Sequence, residues 1–380
     1  MLKKTSAFLL ALIMIFLCFG CTPKQIKLSS NNKIVIITGP EEYEPTLYKK
    51  AAELSEKYGK NLIVDYYAGN YTKNEDAVYL TAAKYAEDKN VKAIVFADGV
   101  EGLSSAVKNI KTKRSDICVV VCNDLENADE TAEYADFKIS LNPDKIGEQA
   151  VNAAEKAGAK TFVFYVSNRF ITNYVYVKTL RKVIKGKCKM ADINYVESTC
   201  IDVFDDQRTI EIANQFIRED LARKSRKYKK DIAVFCCDPL VEATLITEAD
   251  ALNMIVPMTM TCSPLSFAEA FGVDMKDNET NDIYALTEIE KALSKREEKV
   301  KMSSFKFSAP EAILEAGFEL AYYYSNTRDK KKPDFNAKDR IAKAFENSLG
   351  DTTVGIVTGK SFSGKELDNS FLVWGKVYNY

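Results

Sequence analysis

The sequence predicts an α/β protein: two doubly wound parallel-sheet lobes facing a cleft. Three observations carry this. Short β-branched runs alternate with amphipathic ones from Lys33 onward, the alternation starts afresh at Thr161, and most apolar runs end in polar or aromatic residues. Alternating strand and helix patterns make parallel sheets covered by helices, and 380 residues suit two such units. A hydrophobic content of 46% excludes a disordered chain. A formal net charge of −1 gives no field to recruit nucleic acid. Without histidine the chain can hold no Ser-His-Asp triad, Cys-His dyad or imidazole metal ligand. No enzyme activity, cofactor or metal is expected.

The opening is basic at Lys3 and Lys4, then uncharged over residues 7–20. That run spans about 21 Å as a helix, short of the roughly 30 Å hydrocarbon core, and has the form of a secretory signal. Gly20-Cys21 at its end resembles the lipobox of bacterial lipoproteins. It implies a signal peptide over 1–20, a lipid on Cys21 and export to the outer face of the cell membrane. Residues 21–32 read as a tether. The leader contains Cys18, so seven cysteines remain besides Cys21. They read as small buried hydrophobes in strands, since the Cys118–Cys122 spacing is too long for a disulfide and Cys236 and Cys237 point to opposite faces.

The first lobe (33–160) takes strands at 33–39, 62–67, 91–97, 117–122 and 137–141, with helices over 46–58, 76–88, 103–110 and 143–158. Leu47, Ala51, Leu54 and Tyr58 have helical spacing, and Pro143 suits a first turn. The second lobe (161–265) takes strands at 161–166, 193–199, 232–236 and 255–260, with helices to about Ile184, over 208–226 and over 241–253. Residues 266–332 read as hinge crossings and returning helices, and 333–380 as a C-terminal helix and strand extension. Gly355-Ile-Val-Thr-Gly359-Lys360-Ser361 has three residues between its glycines where a phosphate loop needs four, so nucleotide hydrolysis is not expected.

In wound sheets ligands bind beyond the carboxyl ends of strands, where strand order reverses. Those ends predict a site of Thr38, Gly39, Tyr43, Tyr67, Asp98, Gly99, Asn123 and Asp124 from the first lobe. The second lobe offers Asn168, Arg169, Phe170, Asp202, Asp238 and Ser263. Arg169 presents a fork of donors for an anionic or carbonyl group, or else an ion pair with Asp202 or Asp238 that locks the hinge. Asp98 and Asp238 accept from ligand hydroxyls or N–H groups, or cap the following helices. Tyr43, Tyr67 and Phe170 offer rings to sandwich a ligand, or pack.

Several stretches carry a family resemblance: Lys33-Ile-Val-Ile-Ile-Thr-Gly39, Val91-Lys-Ala-Ile-Val95, Gly158-Ala-Lys-Thr-Phe162, Ser167-Asn-Arg169, Cys262-Ser-Pro264 and Phe271-Gly-Val-Asp274. Through them the chain resembles the bacterial lipoproteins grouped as domain of unknown function 3798, within the type I periplasmic solute-binding proteins. The resemblance implies that fold and lipid attachment. The expected role is capture of a small polar or aromatic solute in the interlobe cleft, for an import system with an ABC permease. The alternative is a surface sensor or structural lipoprotein of the same fold. No helix-turn-helix precedes Lys33, so a nucleic-acid partner is not expected.

Overall fold

The computed structural model describes residues 31–69, 71, 75–126, 128–204, 206–294, 301–326, 336–349, 354–361 and 363–380. The expected signal peptide, Cys21 and most of the tether lie outside the described residues.

The first sheet contains β1 (Lys33–Thr38), β2 (Leu62–Tyr66), β3 (Val91–Phe96), β4 (Cys118–Cys122) and β5 (Phe137–Leu141), all parallel, in the order β2-β1-β3-β4-β5. β1 is apolar on both faces because both are covered. Ile34 and Ile36 pack with Leu47, Ala51 and Leu54 of α1 (Pro45–Tyr58). Val35 and Ile37 pack with α2 (Glu75–Ala86) and α3 (Leu103–Lys113) through Val78, Ala82, Val107 and Ile110. A short α4 (Ala128–Tyr134), too weakly periodic to read from sequence, precedes β5.

Asn142 then ends the sheet's strand and caps α5 (Pro143–Lys156), its side-chain oxygen accepting from the Asp144 and Lys145 N–H groups. α5 packs against α7 (Val175–Met190), where Gly147 lets the helices close on Val183. The chain therefore crosses between lobes at Asn142, ahead of residue 160, the end of the first lobe read from the sequence.

The second sheet has β6 (Thr161–Ser167), β7 (Asn194–Cys200) and β8 (Ile232–Cys236), parallel, in the order β7-β6-β8. The expected strand over 255–260 shrinks to bridges at Ile255 and Val256, because Pro257 has no N–H to continue a ladder. The single helix expected after Arg169, to about Ile184, is two that begin at Asn168: α6 (Asn168–Asn173) and α7, broken at an extended Tyr174. Between α7 and the last crossing lie α8 (Gln207–Tyr228), α9 (Glu242–Ala251), α10 (Pro264–Ala270) and α11 (Asp282–Leu293). Phe267, Ala268, Ala285 and Ile289 put α10 and α11 in the second lobe's core.

After β9 (Ser303–Ser304) the chain crosses back. α12 (Ala309–Asn326) lies on β3 and β4, with Gly317 against Cys122 and Val120. α13 (Ala337–Leu349) packs on α12. β10 (Gly355–Lys360) and β11 (Glu366–Trp374) extend the first sheet beyond β5, and β12 (Tyr378–Asn379) pairs with β9 in the second lobe. The last 40-odd residues thus complete both lobes. The glycines that imitate a phosphate loop sit in β10, an edge strand. All seven described cysteines are free, six of them buried. Cys188 is on α7, and Cys237 and Cys262 are in loops, so the expectation that all lie in strands is corrected.

Candidate functional site

In both sheets the strand order reverses beside the first strand, between β1 and β3 and between β6 and β8. The carboxyl ends of these strands face each other across a cavity of about 680 Å³ lined from both lobes, a volume that suits a small molecule. Two ion pairs clasp the lobes beside it. Arg169 Nε donates to Glu101 Oε1 at 2.7 Å, and Lys49 Nζ donates to Glu279 Oε1 at 3.0 Å. The Tyr176 N–H also donates to the Leu125 carbonyl across the gap.

Eight of the fourteen site residues expected from the sequence line the cavity: Tyr43, Asp98, Gly99, Asn123, Arg169, Phe170, Asp238 and Ser263. The other six do not, each for a local reason. Thr38 and Tyr67 are fully buried, and Tyr67 stacks on Tyr71. Gly39 is covered by the Glu44 side chain. Asp124 turns away to a buried ion pair with Lys138 at 2.8 Å. Asn168 is exposed at the start of α6, and Asp202 accepts the Arg169 backbone N–H.

Arg169 is held on every side. Besides Glu101, its guanidinium donates to the Val203 carbonyl at 2.9 Å and the Tyr174 hydroxyl at 3.2 Å, over the rings of Phe204 and Tyr174. The expected hinge partner was Asp202 or Asp238; the partner found is Glu101, which follows β3 in the other lobe. Asn123, at a φ of 52°, donates both amide hydrogens to the Ala97 and Pro310 carbonyls, fixing the loop after β4 to the start of α12. Gly99 is required where it stands, since a Cβ there would meet the Asp124 and Asn123 backbone.

The cavity is acidic. Burial pushes the Asp98 carboxyl up to about 7, against the Gly99 N–H that it accepts, with Asp124 adding to the rise. Burial raises Asp238 to about 6, opposed by the Leu240 N–H and Arg169. Two further carboxylates escaped the reading of strand ends. Glu44 precedes Pro45 of α1 and Glu311 follows Pro310 of α12. Burial, then the charges of Asp98, Glu311 and Asp238, raises Glu44 well above the ordinary range. Glu311 is raised by burial to about 7. An acid beside a proline at a helix start was the available signal. Tyr174 and Tyr176 were equally hidden, because the break between α6 and α7 that turns them to the cleft has no glycine or proline to announce it.

The family described as a protein of unknown function, DUF3798, matches residues 32–303. An uncharacterised protein of Treponema pallidum (strain Nichols) is 28% identical over 209 residues, 55% of this chain and 94% of that protein. Among solved structures, the chain is similar to a putative transcriptional regulator from Clostridium difficile 630. The TM-score is 0.71 at 19% identity, over 92% of this chain and 99% of that one. LsrB from Clostridium saccharobutylicum, in complex with AI-2, gives 0.53 at 14% identity over 91% and 97%. A carbohydrate transporter from Acidothermus cellulolyticus 11B, in complex with myo-inositol, gives 0.52 at 14% over 80% and 90%. These likenesses place the fold among the type I periplasmic-binding-protein-like proteins.

Proposed function

The chain belongs to the DUF3798 family, and from that premise and its fold we propose that it captures a small polar solute between its lobes and delivers it to an import system. The observation that carries this reading is the cavity at two facing switch points, bounded by carboxylates, rings and interlobe ion pairs. Two structural neighbours that share the fold hold AI-2 and myo-inositol. Closure would come from contacts the solute makes to both lobes at once, because equal affinity for open and closed forms shifts nothing. Asp98, Asn123 and Tyr43 would act from the first lobe and Asp238 from the second.

We place the protein on the outer face of the membrane, held by a lipid on Cys21 with an ABC permease as partner. Native mass spectrometry of the full-length protein, purified without refolding, tests the capture: a co-purified small molecule that leaves on unfolding is the expected result. Metabolic labelling with a fatty-acid probe, lost in Cys21→Ala, tests the anchor.

A further inference from the structure

Resting on the solute-binding reading, we propose that the solute is an organic cation, an amine whose charged nitrogen sits among Glu44, Asp98, Glu311 and Asp238 while its carbon skeleton lies against the cleft's tyrosines. The carboxylates come from both lobes: Glu44, Asp98 and Glu311 from one and Asp238 from the other.

The charge balance of the cavity points this way. Its two lining cations are occupied: Arg169 pairs with Glu101, and Lys49 with Glu279. The Glu44 carboxylate has no hydrogen-bond or ion-pair partner among the described residues. Glu311 is only 6% exposed, and its Oε2 is buried without a hydrogen-bond partner. Buried carboxylates that repel one another are costly unless a positive group joins them.

The donor balance points the same way. Thr261 and Ser266 both donate their hydroxyls to Glu242, at 2.6 and 2.8 Å. Both Asn123 amide hydrogens go to carbonyls. What these groups leave facing the cavity is acceptor capacity. An ammonium, with three donors and no acceptor, fits such a lining. A polyol brings donors too, but it cannot offset charge.

The rings supply the rest. Phe204 and Tyr174 already carry the Arg169 guanidinium on their faces, at 5.0 and 5.9 Å from the ring centres. Tyr43, Tyr71 and Phe170 line the same space and offer further faces to alkyl or cationic groups. A cation between Asp98 and Asp238 would also turn repulsion across the cleft into attraction, and so favour the closed form.

Calorimetric titration of the full chain with 1,4-diaminobutane, 2-phenylethylamine, myo-inositol and D-ribose tests the assignment. At least one amine is expected to bind, and to raise the melting temperature, while the two neutral polyols do neither. Glu44→Gln, which breaks no native contact, is expected to weaken amine binding about tenfold or more and to raise the ligand-free melting temperature. Asp238→Asn repeats the binding test from the other lobe. No amine binding, or binding equally tight in both variants, overturns the proposal. A polyol that binds where the amines do not overturns it while leaving the solute-binding reading intact. Silence from both classes, with no co-purified mass, removes both.

Discussion

Arg169 and Glu101 belong to different lobes, yet the Arg169 Nε donates to Glu101 Oε1 at 2.7 Å, with side chains only 11% and 21% exposed. Tyr174 adds its hydroxyl to the same carboxylate oxygen at 3.3 Å. The pair therefore latches the cleft rather than presenting a free guanidinium to a ligand.

Loss of either partner should loosen that latch. A charge left behind in a partly buried place makes each single mutant worse than the pair is worth, so a double-mutant cycle is the proper measure. Arg169→Met, Glu101→Gln and the double variant, followed by urea unfolding, are expected to give a coupling of about 1–3 kcal/mol. The single variants should also show a larger radius of gyration in ligand-free solution scattering. A coupling near zero would mean that the lobes close without the pair.

The pH response follows from Asp98. Its carboxyl faces the Gly99 N–H, Asp124 and Glu44, and holds its proton up to about 7 in the folded protein. The unfolded chain releases that proton near about 4. The folded state therefore binds more protons between those values, and the stabilisation from this group is complete below about 4 and lost as pH rises through about 7. Relative to Asp98→Asn, the ligand-free wild type is expected to gain at most about 3 kcal/mol between about pH 8 and pH 5. A wild-type-minus-variant difference that stays flat with pH would refute it.

Binding of a cation should run the opposite way. Asp98, Asp238 and Glu311 are raised by burial to about 7, 6 and 7, so acid removes the charges a cation needs. Affinity for 1,4-diaminobutane is expected to rise about tenfold or more between about pH 5.5 and pH 7.5. An affinity independent of pH over that interval would contradict it.

Much of this architecture was legible in the sequence. β1 and β4 announce themselves because both faces are buried, leaving unbroken apolar runs. The restart at Thr161 marks the second sheet for the same reason. The first crossing was not legible, because α5 packs on a helix of the other lobe and carries the same apolar stripe it would show against its own. The strand ends located Asp98 and Asp238 but not their partners. Glu44, Glu101 and Glu311 reach the cleft from loops and helix starts, where an acid reads as an ordinary N-terminal charge. Arg169 was legible as important; that it would meet Glu101, 68 residues away in the chain, depends on how the lobes dock.

The thiols should be inert in the native state. Burial raises Cys188 and Cys200 to about 12, and Cys236, Cys237 and Cys262 well above the ordinary thiol range. Thiolate is the reactive form, and among the seven described cysteines only Cys200 is less than fully buried. Iodoacetamide at about pH 8 is expected to label Cys200 slowly and the other six only after unfolding. Rapid native labelling of Cys122 or Cys262 would show that the core opens far more readily than its packing implies.

The seat of α12 decides whether its first turn can bring Pro310 and Glu311 to the cleft. At Gly317 the helix backbone rests on Cys122 Sγ, and an added Cβ would collide with that sulfur and come within 3.2 Å of Val120 Cγ1. Gly317→Ala gains helix propensity, worth about 1 kcal/mol, but must push α12 off β4 or distort the Cys122 side chain. Overpacking of this kind costs about 1–3 kcal/mol, so a net loss of stability is expected in thermal unfolding. Cys122→Ala removes the colliding sulfur, and Gly317→Ala in that background should cost less than in the wild type. Equal costs in the two backgrounds would mean that the helix shifts as a body. In that case ligand affinity should fall with stability, because Glu311 would move with the helix.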